Sequence, residues 1–209
     1  MVNPPTELLI VFLKAPRPGA VKTRLARTIG TAAACAAYRS LVEALLSRLQ
    51  GLNAVELRFS PDNAGSEIEC WRRENWTCRP QGAGPLGQRL RSAFEQAFSS
   101  GASRVAIIGS DCPAVTVQDI YDAWKSLRTH DVVLGPASDG GYWLIGSNRP
   151  LPQLFEDIAW STEKVFAETI ARVRRDGLSV RVLRELSDVD TESDWRAFLA
   201  AQNRDGIKS

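Results

Sequence analysis

Short apolar runs of strand length alternate with longer amphipathic runs of helix length along all 209 residues, and that alternation leaves few folds open. Residues 8–13, Leu-Leu-Ile-Val-Phe-Leu, are unbroken in their apolarity and stopped by Ala15-Pro16. Such a run reads as a strand buried on both faces. Further strands are expected over 54–59, 77–79, 104–108, 131–134, 142–145 and 180–183. Residues 31–50 are rich in Ala and Leu and end at Gly51, a good C′ residue, so they are expected to be helical. Other helices are expected over 66–74, 86–100, 117–128, 161–176 and about 192–202. Thr116 suits the N-cap of one, and Ser161 that of another, with Glu163 in its first turn and Gly177 at its end. Strands separated by helices imply right-handed crossovers and a mostly parallel sheet. The length fits one α/β domain over residues 1–209. Such sheets bind ligands at the carboxyl ends of their strands, so the loops there hold the candidate residues.

The first of these loops is basic. Lys14-Ala15-Pro16-Arg17-Pro18-Gly19-Ala20-Val21-Lys22-Thr23-Arg24-Leu25 follows the first strand and carries Lys14, Arg17, Lys22 and Arg24. Two prolines restrict the backbone, and Gly19 permits a turn closed to other residues. Arg offers a planar fork for phosphate oxygens and Lys a compact point charge. The loop lacks the G-x-x-x-x-G-K-[ST] pattern. Its position favours a di- or triphosphate ligand over a solvated turn. Because the formal charge is only +2, any positive patch is local and nothing points to a nucleic acid.

The fourth expected strand ends in Gly109-Ser110-Asp111-Cys112-Pro113 and delivers one carboxylate to the same edge. A hard cation such as Mg²⁺, or Mn²⁺, takes oxygen ligands and keeps water and phosphate oxygens in its other positions. Asp111 suits that role, and it equally suits capping the next turn. A second carboxylate is available in Asp188-Val189-Asp190-Thr191 after the last strand. Asp190 is the expected second ligand, with Asp188 on the same face as the alternative and helix capping as the plain one. Asp139-Gly140-Gly141-Tyr142 adds an acid that could orient a hydroxyl or act as a base, beside glycines that admit a ligand close to the backbone. It also reads as an ordinary hairpin turn. Gly84-Pro85-Leu86-Gly87-Gln88-Arg89 could frame a planar base with backbone groups, or simply lead into a helix.

Four cysteines form no C-x-x-C pair, and His130 is the single histidine. That is a poor supply of zinc ligands, and free thiols in a reducing compartment are the simpler expectation. The first apolar run is too short to span a membrane and no basic segment precedes it, so the cytoplasm is expected.

With these residues placed, the chain resembles the DUF2064 family, also called rSAM/selenodomain-associated transferase 1, within the GT-A nucleotide-diphospho-sugar transferase superfamily. The resemblance runs from about Leu8 to Phe198. It rests on Lys14 to Gly19 with Lys22-Thr23-Arg24-Leu25, Gly109 to Pro113, Gly135-Pro136 through Tyr142, Trp160-Ser161-Thr162, and Asp188 to Thr191. It implies a GT-A-like (Rossmann-like) three-layer α/β/α sandwich. Lys22 to Leu25 is similar to a loop of 2-phospho-L-lactate guanylyltransferases, and Gly84-Pro85-Leu86 to a guanine-side segment of molybdenum-cofactor guanylyltransferases. Asp188 to Thr191 resembles the closing motif of sugar-acid cytidylyltransferases, where an acid binds Mg²⁺. The chain departs from the family in lacking an acid near Pro85, and from sugar nucleotidyltransferases in lacking their G-x-G-T-R loop.

Together these readings predict a transferase that binds a nucleotide, either a nucleoside triphosphate or a nucleotide sugar, and a small-molecule acceptor. Nucleotidyl transfer to an anionic acceptor is expected first. Glycosyl transfer is the alternative, and a nucleotide-binding module without catalysis the third. Lys22, Arg24, Asp111 and Asp139 are the expected catalytic residues, with Asp111 and Asp190 on the metal. Lys14, Pro16, Gly19, Gly84, Leu86, Gly140 and Gly141 are expected to bind the nucleotide.

Overall fold

The computed structural model describes residues 6–206. Its strands are β1 (Glu7–Lys14), β2 (Val55–Ser60), β3 (Trp76–Pro80), β4 (Arg104–Gly109), β5 (Val132–Pro136), β6 (Tyr142–Ser147) and β7 (Val180–Val182). They form one seven-stranded sheet in the order β3-β2-β1-β4-β6-β5-β7. All pairings are parallel except those of β6, which runs antiparallel to both β4 and β5. Only a short turn joins β5 to β6, which leaves no chain for a crossover, so they pair as a hairpin.

The helices are α1 (Thr23–Ile29), α2 (Thr31–Arg48), α3 (Gly65–Ile68), α4 (Leu86–Ser99), α5 (Val117–Ser126), α6 (Val165–Arg175) and α7 (Glu192–Gly206), with 3₁₀ turns at Glu69–Trp71 and Pro152–Phe155. They cover both sheet faces. Leu9, Val11 and Leu13 of β1 join one core with α2 and α5, and Ile10 and Phe12 join the other with α4 and α6. Both faces of the central strands are therefore dry, which is why their sequences do not alternate. The result is the expected three-layer α/β/α sandwich. No helix among the described residues is long and apolar enough to cross a membrane.

Thr116 caps α5 with a full capping box, exchanging hydrogen bonds with Asp119. Ser161 caps nothing. It has φ +64°, and α6 begins four residues later at Val165, with Lys164 in the capping position. The intervening turn packs on the hairpin through the Glu163 backbone against Gly140, and the first turn of α6 follows, with Phe166 N–H donating to the Gly140 carbonyl. Helix α1 occupies Thr23–Ile29, inside what reads in sequence as loop. Seven residues, fewer than two full turns, give a periodic pattern no room to show.

Candidate active site

The carboxyl ends of β1 and β4 open onto a cleft of about 500 Å³. Its walls include Lys14, Lys22, Arg24, Leu86, Asp111, Asp139 and Asp190, seven of the residues singled out from sequence. They come from five separate loops.

The centre is an ion triad. The Lys22 side chain is 3% exposed and its Nζ contacts Asp111 Oδ1 and, at 3.0 Å, Asp190 Oδ1. Arg24 reaches the other Asp190 oxygen at 3.6 Å from the rim. Lys22 adopts a left-handed backbone, φ +47°, at the start of α1. A non-glycine residue held there costs about 1–3 kcal/mol, and such strain gathers at functional sites. Burial works against the Lys22 charge, but Asp111 and Asp190 outweigh it and hold its ammonium above the usual lysine range.

Both acids are free of the capping roles open to them. Asp111 turns to Lys22. Helix α7 is capped by Thr191, whose N–H and hydroxyl donate to Asp194 and whose hydroxyl accepts from the Asp194 N–H. The two acidic segments are stitched by Val189 N–H donating to the Asp111 carbonyl at 3.0 Å. Asp188 points elsewhere. It accepts from Cys112 Sγ at 2.8 Å. Burial first, then the charges of Asp111, Asp139 and Asp190, raise its carboxyl to about 6, against the Cys112 hydrogen bond. Between the two candidates, Asp190 is the one beside Asp111 and Lys22.

Tyr38 and Gln81 have no place in the sequence reading, and Arg89 enters it only as the end of the turn at 84–89, with no role for its side chain. Tyr38 of α2 lies under the triad: its hydroxyl accepts from Lys14 N–H at 2.8 Å and bonds Ser110 Oγ at 3.1 Å. Burial pushes that phenol up to about 12, so it stays neutral. Gln81 is 5% exposed and donates to the carbonyls of Leu13 and Arg58 while accepting from Arg89 at 2.5 Å. Arg89 thereby stands on the cleft wall from α4, a fourth cation beside Lys14, Lys22 and Arg24. The only sequence signal for Tyr38 is a polar-tipped aromatic on a buried stripe.

Other expected residues serve the scaffold or lie off the cleft wall. Arg17 turns away to Glu67, with an Nη2–Oε1 distance of 2.6 Å. The Pro16 carbonyl accepts from Cys35 Sγ and Arg39. Gly19, at φ +81°, faces open space. A Cβ on Gly140 would collide with the Glu163 carbonyl, and one on Gly84 with the Gln88 side chain. What approaches Gly140 closely is the chain itself. Gly141 N–H donates to Asp139 Oδ1, which fixes that acid in a tight turn facing the cleft.

A divalent ion fits this donor set. Two carboxylates already converge on a single cationic atom, and Mg²⁺ or Mn²⁺ needs only one or two of them beside water and phosphate oxygens. Among the described residues no larger group of His, Cys, Asp or Glu gathers as a metal centre.

Comparison with known proteins follows the same lines. A protein from Desulfovibrio desulfuricans G20, described as a "putative nucleotide-diphospho-sugar transferase", superposes with a TM-score of 0.84 at 33% identity, over 90% of this chain and 83% of that one. A CMP:2-keto-3-deoxy-manno-octonic acid synthetase complexed with CTP gives 0.62 at 10% identity, covering 96% and 99%. Rv0371c of Mycobacterium tuberculosis H37Rv, in complex with manganese, gives 0.57 at 16% identity, covering 93% and 98%. The last two share the fold. No curated protein matches the sequence. The family model described as "Uncharacterized protein conserved in bacteria (DUF2064)" matches residues 45–162. Its match over more than half of the chain, on a nucleotide-diphospho-sugar transferase fold, means that this protein belongs to the DUF2064 family.

Proposed function

We propose that the chain is a metal-dependent, nucleotide-using transferase that moves a nucleotidyl group from a nucleoside triphosphate to an anionic acceptor. One observation carries the reading: Lys22, Asp111 and Asp190, far apart in sequence, converge at the carboxyl edge of β1 and β4 beneath an open cleft. Lys14, Lys22 and Arg24 would hold the phosphates, and Arg89 would face them or the acceptor from the opposite wall. Asp111 and Asp190 would hold Mg²⁺ or Mn²⁺, which supplies charge neutralisation at the α-phosphate. The acceptor's anionic oxygen attacks that phosphorus in line and pyrophosphate leaves. Positioning and charge stabilisation suffice for such a step, so no dedicated base is required. The neighbours that share this fold, one of them holding CTP and another manganese, are consistent with it.

Glycosyl transfer from a nucleotide sugar is the second reading. It is favoured by Asp139 and Ser161 on the cleft wall, where a carboxylate could accept the proton of an acceptor hydroxyl. It is also favoured by the description of the Desulfovibrio relative. Incubation with Mg²⁺ and a panel of triphosphates, nucleotide sugars and acceptors separates the two. Pyrophosphate release on adding an acceptor supports nucleotidyl transfer. Nucleoside diphosphate release from a nucleotide sugar replaces it with the second reading. Binding without turnover leaves a nucleotide-binding module.

A further inference from the structure

The Lys22 ammonium already sits where the two candidate ligands point. Its Nζ lies against Asp111 Oδ1 and Asp190 Oδ1 together, and its side chain is all but sealed from solvent. Those two oxygens serve a buried ammonium and a divalent ion together only at a cost, because the two cations would stand within a few ångströms of each other and repel. Resting on the reading above, we propose that Lys22 and the divalent ion are alternative occupants of one seat between Asp111 and Asp190, so that the ion enters as Lys22 swings out, and a phosphate that receives the lysine favours the exchange.

The geometry gives Lys22 both the means and the reason to move. Its backbone is fixed at the start of α1, but its four-carbon stem is flexible, and it borders the cleft that Lys14 and Arg24 also line. Asp111 and Asp190 are exposed by 50% and 34%, so the seat is open from the cleft while the lysine fills it from behind. A displaced ammonium needs a new anion, and a triphosphate supplies it. Metal and phosphate binding are therefore coupled: each makes the other tighter. With no phosphate present the lysine acts as a built-in competitor of the ion.

This yields opposite signs for one substitution. Lys22→Met should bind Mn²⁺ alone more tightly than the wild type, by roughly tenfold, a typical size for coupled sites. The free Mn²⁺ signal in electron paramagnetic resonance reads this directly, without turnover. Arg24→Met is the control for charge alone, because it removes a rim cation 3.6 Å from Asp190 without vacating the seat; its effect should be much smaller. In the wild type, saturating Mn²⁺ should turn Lys22 from protected to reactive toward an acylating reagent, scored by mass spectrometry, and this holds even if Lys22→Met does not fold. Equal Mn²⁺ affinity in Lys22→Met and wild type, an equal gain in Arg24→Met, or bound Mn²⁺ with Lys22 still protected would each overturn seat sharing while leaving the metal assignment intact. Mn²⁺ bound by neither protein would overturn both.

Discussion

The ion cluster at the cleft and the one centred on strand β2 each enclose a buried charge, but they are built in opposite ways. At the cleft, one ammonium is enclosed by two carboxylates that stay partly open to solvent. On the sheet, Glu56 is 6% exposed and enclosed by two guanidinium groups, Arg58 at 2.5 Å and Arg79 at 3.1 Å. Arg58 itself is 1% exposed. A buried acid held between two cations has little freedom to exchange partners, so the β2 cluster suits a structural role. Open acids with a replaceable cation can exchange theirs, so the cleft cluster suits a ligand. Burial of charge alone does not separate these roles; which sign reaches the solvent does.

Glu56→Gln tests the structural side and should show the largest effect. It leaves Arg58 buried without a counter-ion, a change that costs about 3–5 kcal/mol. Urea unfolding would measure it, and a loss near zero would mean that the cluster is not structural. Asp111→Asn tests the other side. It should lower metal-dependent turnover by about 10²–10³, with the melting temperature little changed; unchanged turnover refutes the metal assignment. Lys22→Ala should weaken binding of the triphosphate by about tenfold or more, the value of one hydrogen bond to a charged group. Calorimetric titration with the Mg²⁺ complex reads this, and equal affinity would remove the lysine from the phosphate site.

The smallest effect is expected at Asp119, which belongs to neither cluster and calibrates the comparison. Burial raises its carboxyl, but Arg184 and the Thr116 donors outweigh burial and hold it below the ordinary 3.8. A depressed folded value contributes stability above the unfolded value, which is lost as pH falls through the folded one. Asp119→Ala should cost about 1 kcal/mol at neutral pH, a typical loss for a helix cap. That difference should shrink below about pH 4, near the unfolded aspartate value. A constant difference across that range would show that the carboxylate's charge is not responsible.

The parts of this picture legible in sequence are those fixed by strand ends. Residues 8–13 and 104–108 are apolar because both faces are covered, so the residues just past them had to lie at the sheet's carboxyl edge. Lys22 and Asp111 follow from that, and Asp190 follows from the last strand. Residues that reach the cleft from helices carry no such marker. Tyr38 and Arg89 have the spacing of ordinary helix residues, and only the tertiary fold brings them to the cleft wall. Arg17 shows the converse: its charge and position match those expected of a phosphate-binding loop, but Glu67, fifty residues away, takes it. Pairwise contacts between distant segments decide such cases, and they leave no local pattern. The start of α6 departs from its sequence pattern for a related reason. Ser161 is a good cap by composition, yet the turn at 161–164 lies with its Glu163 backbone against the hairpin at Gly140.

The proposed function depends on one rim, where cationic side chains and two carboxylates would face the same phosphates. Thermal unfolding of the wild type with Mg²⁺ and a preferred triphosphate tests this most directly. At a hundredfold excess over Kd the ligand should add about 2.7 kcal/mol, and the gain should vanish without Mg²⁺ and in Asp111→Asn. An equal gain in all three samples would contradict the account, because the phosphates would then be held somewhere other than the Lys22–Asp111–Asp190 seat.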